Sequence, residues 1–199
     1  MTDATHLREL YPAPNERAVR KQLDHLDVHC RRFIELSPFL VMASVAAGTD
    51  GPLDASPRGG APGFVKALDA TTLLVPDAPG NNRLDSLSNI VATERVGLLF
   101  LVPGIDETLR VGGTGKVSVD AELMASMVEF GKPPRAILRI DVREAYFHCG
   151  KALMRSKLWA GERVERSVMP SIGEVIHDQT GLGERESQEE IYERYKTQL

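Results

Sequence analysis

Residues 137–147 read Ile-Leu-Arg-Ile-Asp-Val-Arg-Glu-Ala-Tyr-Phe, and this run decides the fold class. Leu138, Ile140 and Val142 alternate with Arg139, Asp141 and Arg143, the period-two pattern of a strand with one face on a core and one in water. Working back from it, residues 108–119 form a second long strand. Its glycines at 112, 113 and 115 mark places where the backbone bends or another group comes close. Residues 96–102 are an apolar run stopped by Pro103-Gly104, and residues 39–47 a similar run stopped by Gly48-Thr49-Asp50-Gly51. Both read as buried strands, with shorter strands expected over 53–57, 64–68 and 72–75.

The remaining segments carry helical periodicity. Over 15–36, Val19, Leu23, Leu26, Phe33 and Leu36 recur at helical spacing, and Pro38 stops the run. Further helices are expected over 84–93, 121–130, 150–158 and 184–198, the last with Ile191 and Tyr195 on one side. Few strands alternate with helices, which argues against a doubly wound parallel sheet. The expectation is mainly β with α: a mixed, mostly antiparallel barrel of six to seven strands, flanked by helices. It is one domain over 1–199, with a helical extension over about 1–37 and a helical tail over about 160–199.

Bulk properties narrow the function. The 199 residues are 42% hydrophobic and 26% charged, ordinary for a globular protein, and the net charge is -4. With a pI near 5.8 the chain has no general electrostatic footprint for nucleic acid, so any anionic ligand needs a local basic cluster. Cys30 and Cys149 are far apart and in no CxxC arrangement, which fits a reducing cytoplasm. No signal peptide is visible, and no apolar run is long enough to span a bilayer, so a cytoplasmic protein with no membrane partner is expected.

Four segments carry chemistry. Ser56-Pro57-Arg58-Gly59-Gly60 is followed by Pro76-Asp77-Ala78-Pro79-Gly80-Asn81-Asn82-Arg83, where two asparagines and an arginine precede a predicted helix. Free amides at a helix start and a guanidinium suit a phosphate, and Lys66 supplies a second cation. An Asn-rich turn that merely caps the helix, with Arg83 solvated, is the bland alternative, and local spacing alone favours it. Thr108-Leu109-Arg110-Val111-Gly112-Gly113-Thr114-Gly115 suits either a flat ligand or a close strand crossing. His148-Cys149-Gly150-Lys151-Ala152 leads into Arg155-Ser156-Lys157-Leu158-Trp159, where the only tryptophan sits among cations; ligand stacking and plain packing are equally open. His25 and His29 are spaced for a metal, but no further ligand set accompanies them, and an exposed helix face is the better reading. Nothing in the order or spacing of residues makes a case for hydrolysis.

Taken together, SPRGGAPGFVKALD (56–69), LLVPDAPGNNRLDSLSNI (73–90), VGLLFLVPGIDETLRVGGTGKVS (96–118) and HCGKALMRSKLW (148–159) resemble the pyridoxamine 5′-phosphate oxidase-related flavoproteins, in particular a bacterial FMN-dependent subgroup. The resemblance covers roughly residues 30–160. It implies an FMN-binding split barrel acting as a homodimer, with each flavin in a groove between subunits and a small-molecule substrate. By position, Lys66 and Arg83 are similar to the family's phosphate-binding residues, with Asn82 beside them. Ser56, Arg58 and Gly59 would line the ring or ribityl side, Arg110 would reach the cofactor from its strand, and Lys157 and Trp159 would close the site. Arg58 or Arg110 near the pyrimidine end would stabilise an anionic reduced flavin.

Two positions depart from the subgroup: Gly60 replaces an expected acidic residue, and Ala78 a frequent arginine. The late Trp-Arg-Leu signature of the true oxidase is missing, which argues against vitamin B6 oxidation. The implied activity is a flavin-dependent oxidoreductase in which no side chain is an evident acid or base. Two other readings stay open: a deazaflavin-dependent reductase on the same fold, and a non-enzymatic flavin- or haem-binding module with His148 as an iron ligand.

Overall fold

The computed structural model of the protein describes residues 4–48, 50–128 and 131–197. Thr49 of the first predicted turn, and the ends of the helices expected over 121–130 and 184–198, lie outside the described residues. The chain divides into two compact units, Met1–Trp159 and Ala160–Leu199.

The first unit contains α1 (Ala4–Leu10), α2 (Glu16–Arg20), α3 (Val28–Leu36), β1 (Phe39–Val45), β2 (Leu53–Gly59), β3 (Lys66–Ala67), β4 (Thr72–Asp77), α4 (Asp85–Thr93), β5 (Arg95–Leu101), β6 (Thr108–Ser118), α5 (Ala121–Ser126), β7 (Ala136–His148) and α6 (Lys151–Ser156). The seven strands make one sheet in the order β2-β1-β5-β6-β7-β4-β3. Every ladder in it is antiparallel, so the mixed component expected from sequence is absent among the described residues. β2 and β3 remain as two separate edges, and the sheet wraps a core without closing. This is the split barrel with flanking helices.

Period-two alternation builds that core. Leu40 and Met42 of β1, Val96, Leu98 and Phe100 of β5, Leu109 and Val111 of β6, Leu73 and Val75 of β4, and Leu138, Ile140 and Val142 of β7 all join one buried cluster. Each large apolar side chain removed from water contributes roughly 1.5–3 kcal/mol. α4 adds Ile90, and α3 adds Cys30, Phe33 and Ile34, so the helix before β1 is part of the core rather than an appendage. A bulge opposite Gly112/Gly113 places Glu144 against Gly112 and Val142 against Gly113, leaving Arg143 as the extra residue on β7. Past it the inward parity changes: Ala145 is buried while Glu144 turns outward.

The helix expected over 15–36 is two helices. Leu23 exchanges both backbone hydrogen bonds with Ala145, and the Leu26 amide donates to the Ala70 carbonyl. Those bonds commit the backbone of 21–26 to the sheet side. Asp27 then starts α3 by accepting from the Cys30 amide at 2.8 Å.

The second unit holds α7 (Ile172–Thr180) and α8 (Gln188–Lys196). Both begin with capping boxes, Ser171 with Glu174 and Ser187 with Glu190. α7 is not among the helices expected from sequence, although its Ser171…Glu174 start is a legible signal. A Cβ on Gly173 would lie 2.8 Å from the Glu186 carbonyl, so glycine is what lets the two helices' connecting segment come close. Among the described residues no helix is long and apolar enough to cross a membrane.

Candidate functional site

The polar groups of the first unit gather where β2, β4 and α4 meet. Alternation on β2 turns Asp54, Ser56 and Arg58 to the less exposed side. The Asp54 carboxylate accepts from Ser56 Oγ at 2.9 Å, Ser86 Oγ at 2.6 Å and Ser44 Oγ at 3.4 Å. Asn89 Nδ2 donates to Ser44 Oγ at 3.1 Å, so the chain of bonds runs from β2 through β1 into α4. Arg58 joins it through Nη2, which donates to Ser86 Oγ at 3.1 Å, while Nη1 donates to the Pro57 carbonyl at 2.9 Å.

The approach to α4 is locally strained in a way that aims its first turn outward. Asn82 and Leu84 both have left-handed backbones, φ 58 and 61. Leu84 occupies the N-cap position and offers no side-chain cap to the first-turn amides. Those amides carry the positive end of the helix. Arg83 pairs with Asp85 at 2.7 Å, with its side chain 71% exposed. Arg135, from the segment before β7, donates from Nη1 to Asn82 Oδ1 at 2.9 Å. Its amide also donates to the Asp77 carbonyl at 3.1 Å. Asp77 is half-buried; burial pushes its carboxyl above the usual carboxylate range, against the opposing pull of Arg58 and Arg135.

Of the residues singled out from sequence, Ser56, Arg58, Asn82 and Arg83 therefore meet in one place, with Gly59 at the end of the same strand. Lys66 lies elsewhere. It pairs with Leu74, which packs in a second cluster with Met127 and Ile137, and its Nζ donates to the Ser126 carbonyl at 2.8 Å. Arg110 lies on the outer sheet face, paired with Glu144 and stacked 4.7 Å from the centroid of Tyr146. Lys157 ends α6 in a left-handed conformation and is exposed. Trp159 donates from Nε1 to the Ile105 carbonyl at 2.9 Å. His148 packs beside Tyr146, and burial with the nearby Arg110 and Lys21 lowers its pKa. His25 Nδ1 is bonded to Asp24, and no metal-holding group of His, Cys, Asp or Glu occurs among the described residues.

The glycines of β6 have internal explanations. A Cβ on Gly113 would lie 2.3 Å from the Asp141 carbonyl, and one on Gly115 would lie 2.9 Å from Ile90 Cγ2. Close crossing, not a flat ligand, accounts for both. Gly97 is different, because its Cβ would meet nothing nearer than Ala43 Cβ at 3.9 Å. Register aligns Ala55, Ala43, Gly97 and Gly112 in one row across four strands. This row floors an open cavity of about 480 Å³ whose walls include Leu53, Arg95 and Arg143.

Sequence reading missed Asp54, Asp77, Ser86 and Arg135. Ser86 lies in the first turn of a predicted helix and was recoverable; Arg135, after Pro133-Pro134, carries no local signal.

Comparison with known proteins agrees with this geometry. The profile of the pyridoxamine 5′-phosphate oxidase family matches residues 26–149, more than half of the chain, and the chain belongs to that family. A variant of HupZ from Group A Streptococcus shares the fold with a TM-score of 0.50 at 13% identity, covering 62% of this chain and 99% of its own. An FMN-binding protein from Syntrophomonas wolfei aligns with a TM-score of 0.47 at 11% identity, covering 60% of this chain and 83% of its own. A candidate pyridoxamine 5′-phosphate oxidase from Lactobacillus delbrueckii aligns with a TM-score of 0.47 at 20% identity, covering 63% and 98%. No curated protein matches the chain.

Proposed function

We propose that this protein is an FMN-binding oxidoreductase that works as a homodimer on a small molecule. One observation carries the reading: inside the family-matched segment, Arg58, Arg83, Arg135 and Asn82 converge on the uncapped start of α4. Arg58 and Arg135 are held by neutral groups and keep their charge available, so a phosphate fits there. FMN, when bound, supplies the electron or hydride transfer. The chain's own task is to hold and orient it: Arg58, Arg135 and Asn82 at the phosphate, and Ser86 fixing Arg58. Ser56 and Gly59 extend along the same strand towards the rest of the cofactor. Arg83 contributes by leaving Asp85, and Lys66 by leaving the Ser126 carbonyl.

Arg110, Lys157 and Trp159 belong to the ring side and the subunit interface in this reading. Of the two arginines offered to an anionic reduced ring, Arg110 is already balanced by Glu144, which leaves Arg58 the stronger source of positive field. The outer sheet face supports a second copy: Phe39 is 39% and Leu53 85% exposed, and Gly97 leaves room that nothing in this chain fills.

The visible spectrum of the purified protein, with the mass of its released cofactor, tests the proposal. Two visible bands and the mass of FMN are expected. A single shorter-wavelength band with a deazaflavin mass, an intense Soret band, or a colourless protein that takes up no FMN would overturn it.

A further inference from the structure

Asp77 ends β4 on the strand side of Leu73 and Val75, where the core gives way to the polar mouth. Two guanidinium groups act on its carboxyl, Arg58 from β2 and Arg135 from the entry to β7. Neither arginine makes a salt bridge among the described residues. Arg58 is held by Ser86 and the Pro57 carbonyl, and Arg135 by Asn82. The other charged groups of the mouth are already engaged: Arg83 with Asp85, and Asp54 with three serine hydroxyls. Asp77 is thus the carboxylate that balances Arg58 and Arg135 in the free protein.

We propose that Arg58, Arg135 and Asp77 form a proton-coupled subsite for a phosphate monoester. The phosphate takes the two guanidinium groups, and one proton from solvent is held between a phosphate oxygen and Asp77. The proposal rests on the phosphate reading of the preceding section. The charge count requires the proton. A dianionic phosphate brought against an ionised carboxylate places like charges side by side, and such a pair relieves itself by sharing a proton. Burial already raises the Asp77 carboxyl, and only Arg58 and Arg135 oppose that. A phosphate that engages both arginines screens their pull and adds negative charge, and both changes favour proton uptake.

Calorimetric titration of the flavin-free full chain with FMN and with riboflavin, in two buffers of different ionisation enthalpy, counts the protons taken up. Mildly alkaline pH is the right condition, because a free phosphate monoester, with its second pKa at about 6, is then dianionic. Uptake of up to one proton is expected with FMN and none with riboflavin. FMN affinity should fall by up to about tenfold per pH unit as pH rises. Asp77→Asn should bind FMN with a flatter profile and without that proton. FMN preferred over riboflavin, but with no proton uptake by the natural protein, would overturn the subsite and leave the phosphate reading standing. The subsite fails equally if Asp77→Asn takes up as many protons as the natural protein. Equal affinity for FMN and riboflavin would overturn both. The buffer comparison on the natural protein is decisive even if Asp77→Asn does not fold.

Discussion

Arg58 Nη2 lies 3.1 Å from Ser86 Oγ, so a guanidinium on an edge strand is tied to the first turn of α4. Ser86 is 2% exposed and donates its own hydroxyl proton to Asp54. Ser86→Ala removes both bonds at once and leaves a part-buried carboxylate with one fewer donor. A stability loss of about 1–3 kcal/mol in urea unfolding is expected, with a smaller loss of FMN affinity as Arg58 loses its anchor. Unchanged stability would show that Asp54 is satisfied by water instead.

Arg58→Ala acts on the ligand directly. Losing one charge-assisted pair to phosphate should cost about 1.5–3 kcal/mol, one to two decades of FMN affinity. Riboflavin, which lacks the phosphate, should be affected far less, and Arg83→Ala should behave alike but more weakly because Arg83 already has Asp85. Equal losses for FMN and riboflavin in a fluorescence titration would remove Arg58 from the phosphate site.

The glycines separate fold from assembly. Gly113→Ala forces a Cβ to within 2.3 Å of the Asp141 carbonyl at the bulge, a backbone clash that no side-chain motion relieves, so little folded protein is expected. Gly97→Ala meets only Ala43 at 3.9 Å and should fold normally. Gly97→Glu should fold too, but place a charge where a second copy would pack, giving a monomer in light scattering. A Gly97→Glu dimer as tight as the natural one would move the interface off this face.

How much of this is legible without the structure depends on how local each cause is. The strand signals of residues 137–147, 96–102 and 39–47 are readable because alternation and apolar runs are local, and they predict β7, β5 and β1 closely. The single helix expected over 15–36 fails because Leu23 answers to Ala145, a residue 122 positions away. Arg58, Asn82 and Arg83 stand out through their glycine, proline and asparagine neighbours. Asp77 and Arg135 do not, because they meet only through the register of β4 on β7, where Asp77 faces Ala136. The glycines of β6 point to close approach correctly, but periodicity cannot say that the approaching groups are Asp141 and Ile90.

The start of α3 gives a pH-dependent prediction. Burial pushes the Asp27 carboxyl up, but the Cys30 amide and thiol and the nearby His29 outweigh it, leaving the group below its usual value. A carboxyl depressed by folding adds stability above its unfolded pKa and loses it as pH falls through the folded one. Asp27→Ala should therefore cost about 1 kcal/mol at neutral pH, and the deficit should shrink in acid. A deficit that stays constant across the acid limb of urea unfolding would mean that charge plays no part in the cap.

The two cysteines should react very differently. Cys30 is 1% exposed in the core, where burial, followed by the adjacent Asp27, pushes its thiol up to about 12. Cys149 is exposed beyond the end of β7. A thiol reagent such as Ellman's should modify one cysteine rapidly in the native protein and the second only on denaturation, since the thiolate is the nucleophile. Two fast thiols would mean that α3 opens readily.

Trp159 gives the last prediction, because its environment separates anchoring from ligand closure. Its indole N–H donates to the Ile105 carbonyl, fixing the residue after α6 to the loop between β5 and β6. A Cβ on Gly150, at the start of α6, would lie 2.8 Å from Asp106 Cβ, so the same loop is gripped at both ends of that helix. Trp159→Phe keeps an aromatic body but loses the donor, and Ile105 can turn to water, so the stability cost should stay near about 1 kcal/mol. If Trp159 also closes the flavin site, the folded variant should release FMN, and removing FMN from the natural protein should raise its tryptophan emission. As the only tryptophan, it makes that signal unambiguous. A folded Trp159→Phe dimer with unchanged FMN affinity would reduce Trp159 to the anchor of one loop.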